Sequence, residues 1–330
     1  MVAPRRLLAS VVSLALLATS ACGASPVPAT GPAPLVLERT IPLGRVEGRI
    51  DHLAIDLKHG RLFVAELGNG TVDVIDLAKG APLWKIPGLR EPQGLAYLPD
   101  SDQLVVASGG DGTVRFFGGP DLEPAGLIHL GGDADNVRPD PRTGNVIVGF
   151  GAGALAVIDP TTRRLVATLP LPGHPESFRL EGERVFVNVP SAQRIVVGDL
   201  VSGRTLASWP TPHLWNFPMA PDPAGKTVSV VFRMRSRLVR FEAATGKVLS
   251  DIPTCGDADD LFLDARRQRA YVTCGTGSVD VIGGDHRLAL IPTRWGARTS
   301  LFVPELDRLY VAARATGGRD AAILVYRPQP

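Results

Sequence analysis

Sulfur and aromatic residues are scarce in this chain, and so are the short patterns that mark catalytic chemistry. Among 330 residues there are three cysteines, three methionines and four tryptophans. Three methionines cannot build the soft, Met-rich surface of a promiscuous binder. No Gly-x-Ser-x-Gly, His-Glu-x-x-His or Cys-x-x-Cys pattern occurs. The usual sequence signs of a hydrolase nucleophile elbow, a zinc protease and a dithiol redox centre are therefore missing, and no catalytic residue is assigned. Net charge is only +2, from 35 Lys and Arg against 33 Asp and Glu. Nucleic-acid binders usually carry a strongly basic balance or face, so nucleic acid is not an expected partner. The N-terminal apolar run, Leu7 to Ala18, is shorter than the roughly 20 residues of a membrane-spanning helix.

That run is part of a targeting segment. Arg5 and Arg6 form a positive leader, Leu7 to Ala18 an apolar stretch, and Thr19-Ser20-Ala21 a small-residue approach to Cys22. Cleavage before Cys22 would give a lipoprotein with a diacylglyceryl sulfur; cleavage at an Ala-x-Ala-like site would release a secreted protein. The segment resembles a bacterial lipobox, with Ala21 and Ser20 in place and Thr19 where Leu is usual. The expected organisation is a signal peptide of lipoprotein type over 1–21, an Ala/Pro-rich tether over 22–33 and one domain over 34–330. Lipidation at Cys22 would hold the domain outside the cytoplasm, on a periplasmic or cell-surface membrane. Cys255 and Cys274 are then an even pair in an oxidising compartment, where they form either a disulfide or two separate buried thiols.

Hydropathy repeats along the chain. Seven near-continuous apolar runs recur, from Leu62-Phe63-Val64-Ala65 through Val146-Ile147-Val148-Gly149 to Leu309-Tyr310-Val311-Ala312. Each is followed by a short turn, such as Gly68-Asn69-Gly70, Gly151-Ala152-Gly153 or Gly275-Thr276-Gly277, and then an alternating strand. A conspicuous position precedes each unit: Asp51, Gln93, Asp135, Glu176, Trp215, Asp259 and Thr299, spaced 42, 42, 41, 39, 44 and 40 residues apart. Four-stranded units at this period predict an all-β, seven-bladed β-propeller. The last unit ends without an outer strand, and the one unassigned match is Leu35 to Pro42. The N-terminal strand is therefore expected to close the last blade and remove a bare sheet edge.

Tyr271-Val272-Thr273-Cys274 followed by Ser278-Val279-Asp280-Val281-Ile282, and Phe63-Val64-Ala65-Glu66 followed by Thr71-Val72-Asp73-Val74-Ile75-Asp76, resemble the YVTN-repeat, YncE-like bacterial propellers. The Asn of that repeat is replaced by Cys274 or Glu66, and the Trp-Asp signature of another propeller class does not occur. The resemblance spans residues 34–328 and implies the fold. At the level of architecture it extends to lactonases and to the large subunits of some amine dehydrogenases, so it does not select an activity.

In a propeller, the loops entering each blade and the hairpins after its second strand share one face around the channel mouth. On that face the expected ligand-binding residues are Arg49, Asp51, His52, Gln93, Asp135, Asn136, Glu176, Trp215, Asn216, Asp259 and Arg298. Asp51, Asp135, Glu176 and Asp259 hold equivalent repeat positions and would aim carboxylates at one axis, a hard-cation arrangement suited to Ca²⁺ or Mg²⁺. With His52 and His174, the set would suit a transition metal. The competing expectation is that these side chains bond loop backbone or line a water-filled channel. Arg233, Arg235, Arg237 and Arg240 form a second cluster, either an anion grip or a solvated edge. The leading functional expectation is a monomeric, non-catalytic binding or scaffold protein that takes a protein partner or small ligand at its loop face, without a cofactor. The alternatives are a metal-dependent, lactonase-like hydrolase and a propeller subunit of an oxidoreductase.

Overall fold

Strands with no polar face need cover on both sides, and the chain supplies it by stacking sheets around a ring. The computed structural model describes residues 32–330; the expected signal peptide, Cys22 and the expected tether up to residue 31 lie outside them. The described residues form 28 strands, two single-turn 3-10 helices and no α-helix. They are arranged as seven four-stranded antiparallel sheets, so the molecule is a seven-bladed β-propeller. Strands are lettered A to D in each blade, from the channel outward. Blade 1 is Leu53–Asp56, Arg61–Glu66, Thr71–Asp76 and Ala81–Ile86. Blade 7 takes its first three strands from Ser300–Val303, Arg308–Ala313 and Ala321–Pro328, and its outer strand from Leu35–Gly44. Leu35 pairs with Pro328 and Gly44 with Ala321, so the first described strand is hydrogen-bonded to the last.

Burial follows strand position. Strand B of blade 1 is buried throughout, with Leu62, Phe63 and Val64 at 0% exposure. Outer strands keep exposed apolar residues such as Leu83, Leu206 and Leu249. Apolar clusters fill every interface between adjacent blades. Blades 7 and 1 meet at Ile41, Leu62 and Tyr310, and blades 6 and 7 at Tyr271, Val281 and Phe302. The remaining interfaces are filled in the same way. Each fully buried Val, Leu or Phe contributes about 1.5–3 kcal/mol relative to exposure. The core is thus seven wedges rather than one centre, and the axis is left open, polar at the mouth and mixed in lining farther down.

Two glycines show how closely the blades approach at the mouth. Gly70 closes the B–C hairpin of blade 1 at φ 66°, and a Cβ there would lie 2.6 Å from the Leu89 carbonyl. A Cβ on Gly94 would lie 1.9 Å from the Asp135 carbonyl. That contact allows the inner strands of blades 2 and 3 to close up beside Asp135.

Candidate functional site

Strand register decides which side chains reach the axis. Val137 faces Val148 in blade 3, and Asp135 lies two residues earlier. Leu53, Leu95, Phe178 and Leu261 make the matching pairs in blades 1, 2, 4 and 6. Asp51, Gln93, Glu176 and Asp259 therefore share Asp135's position. Two blades depart from the sequence-based expectation. Met219 faces Val230 and Ser300 faces Val311, so the ring members there are Phe217 and Arg298, not Trp215 and Thr299. Blade 5 has a register shift between Asn216 and Met219, but blade 2 has the same shift between Pro92 and Leu95 with Gln93 in its expected place, so the departure in blade 5 is a two-residue offset in a strand whose sequence diverges from the repeat. The corrected spacing is more even: 42, 42, 41, 41, 42 and 39 residues.

The ring is approached through constrained backbone. Glu91, Asp133, Trp215 and Asp257, each two residues before a ring member, have φ of 54°, 25°, 64° and 59°. Left-handed non-glycine residues store about 1–3 kcal/mol each and concentrate at functional sites. Each has its carbonyl held by the hairpin that follows strand B, as when Arg233 N–H donates to Trp215 O at 2.9 Å and Gly275 N–H to Asp257 O at 2.8 Å. Cys255 is joined to Cys274 by a disulfide with a Cα–Cα distance of 5.9 Å. That bond ties the loop leading to Asp257 and Asp259 onto the end of strand B.

The mouth is a cavity of about 180 Å³ that contains Arg49, Asp51, His52, Gln93, Asp135, Asn136, Glu176, Asp259 and Arg298 in its wall. Asp133, His174, Ser177, Asp260 and Arg233 join them. Arg49 donates to Asp51 from Nε at 3.0 Å and to Gln93 at 3.2 Å. Arg233 pairs with Asp259 and lies 3.6 Å from the centre of the Phe217 ring. Arg298 pairs with Asp257 at 3.0 Å. His52 sits between two acids, 3.9 Å from Asp51 and 3.9 Å from Asp135. His174 donates to the Gly151 carbonyl at 2.7 Å. Asp135 is the exception: it is 9% exposed, and its Oδ1 is sealed from solvent with no hydrogen-bond partner.

Electrostatics follow from that arrangement. Burial, then the charges of Asp51, Glu176 and Asp259, push Asp135 well above the usual carboxylate range. Burial also raises Glu176, against the opposing pull of His174, and raises Asp260. Deeper in the shaft, burial pulls Arg138 and Arg179 down. Sequence reasoning missed these two arginines and Phe217. Equivalent positions in blades 1, 2 and 5 hold Ala54, Ala96 and Ala220, so a long polar side chain among alanines was the signal available.

Asn216 and Trp215 lie apart from this wall. Asn216 is fully buried and donates to Asn188 Oδ1 and to the Arg194 carbonyl, both at 2.9 Å, so it clamps blade 5 to blade 4. Trp215 is 52% exposed and lines an adjoining hollow of about 600 Å³ with Pro190, Phe217 and Glu176. The arginine cluster disperses. Arg233 enters the mouth, Arg237 pairs with Asp251 at 2.7 Å, and Arg240 reaches Asp285 at 2.6 Å. Among the described residues, three potential metal-ligating groups come within 4.8 Å of one another at Asp56, His59 and Asp102. The mouth carboxylates are more widely spread than that. At the Asp56 cluster, Arg61 already donates to Asp56 at 2.8 Å, which satisfies much of its charge.

Fold and mouth together define a seven-bladed propeller with a polar, carboxylate-rich channel opening. No family model and no curated protein matches the chain. Among solved structures it is similar to hydrazine synthase from Kuenenia stuttgartiensis. That match has a TM-score of 0.69 at 16% identity over 79% of this chain and 91% of the other. At that identity the likeness shows the propeller fold alone.

Proposed function

We propose that this chain is a YVTN-repeat, YncE-like binding propeller, lipid-anchored through Cys22 outside the cytoplasm, which takes its ligand at the channel mouth without transforming it. The observation that carries the reading is the Asp135 oxygen left sealed and unpaired in a ring of further acids. Leaving a buried polar atom unpaired costs about 1–3 kcal/mol. Such a cost is most readily retained where a ligand supplies the partner. The strained residues leading into the ring support the same site. The Cys255–Cys274 disulfide supports an oxidising compartment, and the lipobox-like segment supports the anchor.

Native mass spectrometry of the protein with a library of small polar metabolites tests the mouth. Compounds retained by the native protein should be lost from Glu176→Gln and Asp135→Asn, kept by variants on the opposite face, and recovered unchanged. Retention by the mouth variants, or turnover of the retained compound, would overturn the reading. Cys22→Ala should move the protein from the membrane fraction to the soluble one; an unchanged distribution would remove the lipid anchor.

A further inference from the structure

Four carboxylates share the ring, but they are not equally available. Arg49 takes Asp51 and Arg233 takes Asp259. The Glu176 side chain makes no hydrogen bond or ion pair among the described residues, and Asp135 is left with an oxygen that has no hydrogen-bond partner. Two acids in the next-door blades 3 and 4 therefore face the cavity without an arginine partner, and Asp135, with only His52 3.9 Å away, holds a proton that an entering cation would displace. The occupant they call for is a cation.

The kind of cation follows from spacing and surroundings. A bare divalent ion draws its oxygens to within about 2.3–2.6 Å, and the mouth acids and histidines do not gather three ligand atoms within 4.8 Å. An ammonium group donates three hydrogen bonds and reaches oxygens at roughly 2.7–3.2 Å, so it bridges a wider pair. An anion is disfavoured because Arg49, Arg233 and Arg298 are already engaged with acids. The wall is also one-sided. Glu176, Phe217 and Arg233 line both the mouth and the adjoining hollow of about 600 Å³, where Pro190 and Trp215 supply apolar surface. An ammonium held by Asp135 and Glu176 would have its carbon skeleton directed past the edge of Phe217, whose face is stacked by Arg233, toward Trp215.

We infer that the mouth recognises a primary amine carrying an aromatic or comparably apolar group, with the ammonium between Asp135 and Glu176 and the apolar part against Phe217 and Trp215. This rests on the binding function proposed for the mouth and names its ligand class. Calorimetric titration of the full-length protein at pH 7.5 uses three probes with one aromatic body: 2-phenylethylamine, 2-phenylethanol and 3-phenylpropanoate. The amine should bind at least about tenfold more tightly than either partner compound, as expected for a charge-assisted pair. Glu176→Gln and Asp135→Asn should each weaken it about 10- to 100-fold, and Trp215→Ala should weaken it while sparing methylamine. Glu176 is part-exposed, so its variant stays informative if the Asp135 variant folds poorly. Tighter binding of 3-phenylpropanoate, or Ca²⁺ binding lost in the same two variants, would overturn the amine assignment and leave the mouth as a site for another class. Stronger binding of Nα-acetyl-lysine amide than of 2-phenylethylamine would place the amine on a protein partner and overturn the aromatic half. If no probe shows binding that the variants alter, the mouth itself fails as the ligand site.

Discussion

Replacing Asp135 by Asn should make this protein more stable at neutral pH while damaging its binding site. Asp135 is 9% exposed, and its Oδ1 has no hydrogen-bond partner. Asp51, Glu176 and Asp259 add repulsion, and together with burial they hold its carboxyl well above the usual range. The sign follows from proton binding. Above about pH 4 the unfolded chain has released this proton while the native state keeps it, so stability falls as pH rises toward the raised native value. Asn has nearly the same shape and no charge. Because the amide cannot ionise, the variant escapes a cost of about 1.4 kcal/mol for each pH unit between the unfolded and the raised native value. For a domain of this size that is about 2–6 °C in Tm. The gain should be present at pH 7.5 and vanish near pH 4. Calorimetric melts of both proteins at the two pH values measure it. A lower Tm for Asp135→Asn at both pH values would refute the reasoning, because the carboxylate would then be making a native interaction that the structure does not contain. A more stable variant that no longer binds would match the trade-off seen where sites are built against stability.

Four further outcomes follow from separate parts of the fold. Deleting residues 34–43 removes the strand paired with Ala321–Pro328 and should abolish cooperative unfolding; a melt at the native temperature would show that the ring closes without it. Converting both Cys255 and Cys274 to Ser opens a loop of 19 residues and should cost about 3 kcal/mol, measured as a fall in denaturant midpoint; no fall would mean that the loop is held by its hydrogen bonds alone. Asn216→Ala strands Asn188 Oδ1 and the Arg194 carbonyl and should cost about 2–4 kcal/mol, while ligand affinity measured below the melting range stays unchanged. Asp73 is buried beside Glu66, and burial and that charge raise it to about 7, although Lys85 lies 3.3 Å away. Asp73→Asn should therefore raise Tm by an amount that grows from pH 4 to pH 7; a gain independent of pH would exclude this cause.

Repeating hydropathy was enough to read the seven blades and the closing strand, because each strand B must be covered by two neighbours and a bare sheet edge is costly. Ring positions had a sequence signal too: Asp51, Gln93, Asp135 and Asp259 each lie 11 residues before their apolar runs at Leu62, Leu104, Val146 and Ala270, and Phe217 and Arg298 keep the same offset from Val228 and Leu309, whereas Glu176 lies only 9 before Val185. Tertiary structure decided the rest. Phe217 stacks against Arg233, and Trp215, two residues earlier, lines the hollow, contacts that no strand pattern shows. The choice of which acids are neutralised also depends on space. Arg49 pairs within its own blade, whereas Arg233 of blade 5 reaches forward to Asp259 and Arg298 of blade 7 reaches back to Asp257, both in blade 6. Coulombic pairing acts over a few ångströms between atoms far apart in the chain. Only the folded ring could leave Asp135 and Glu176 as the pair without an arginine.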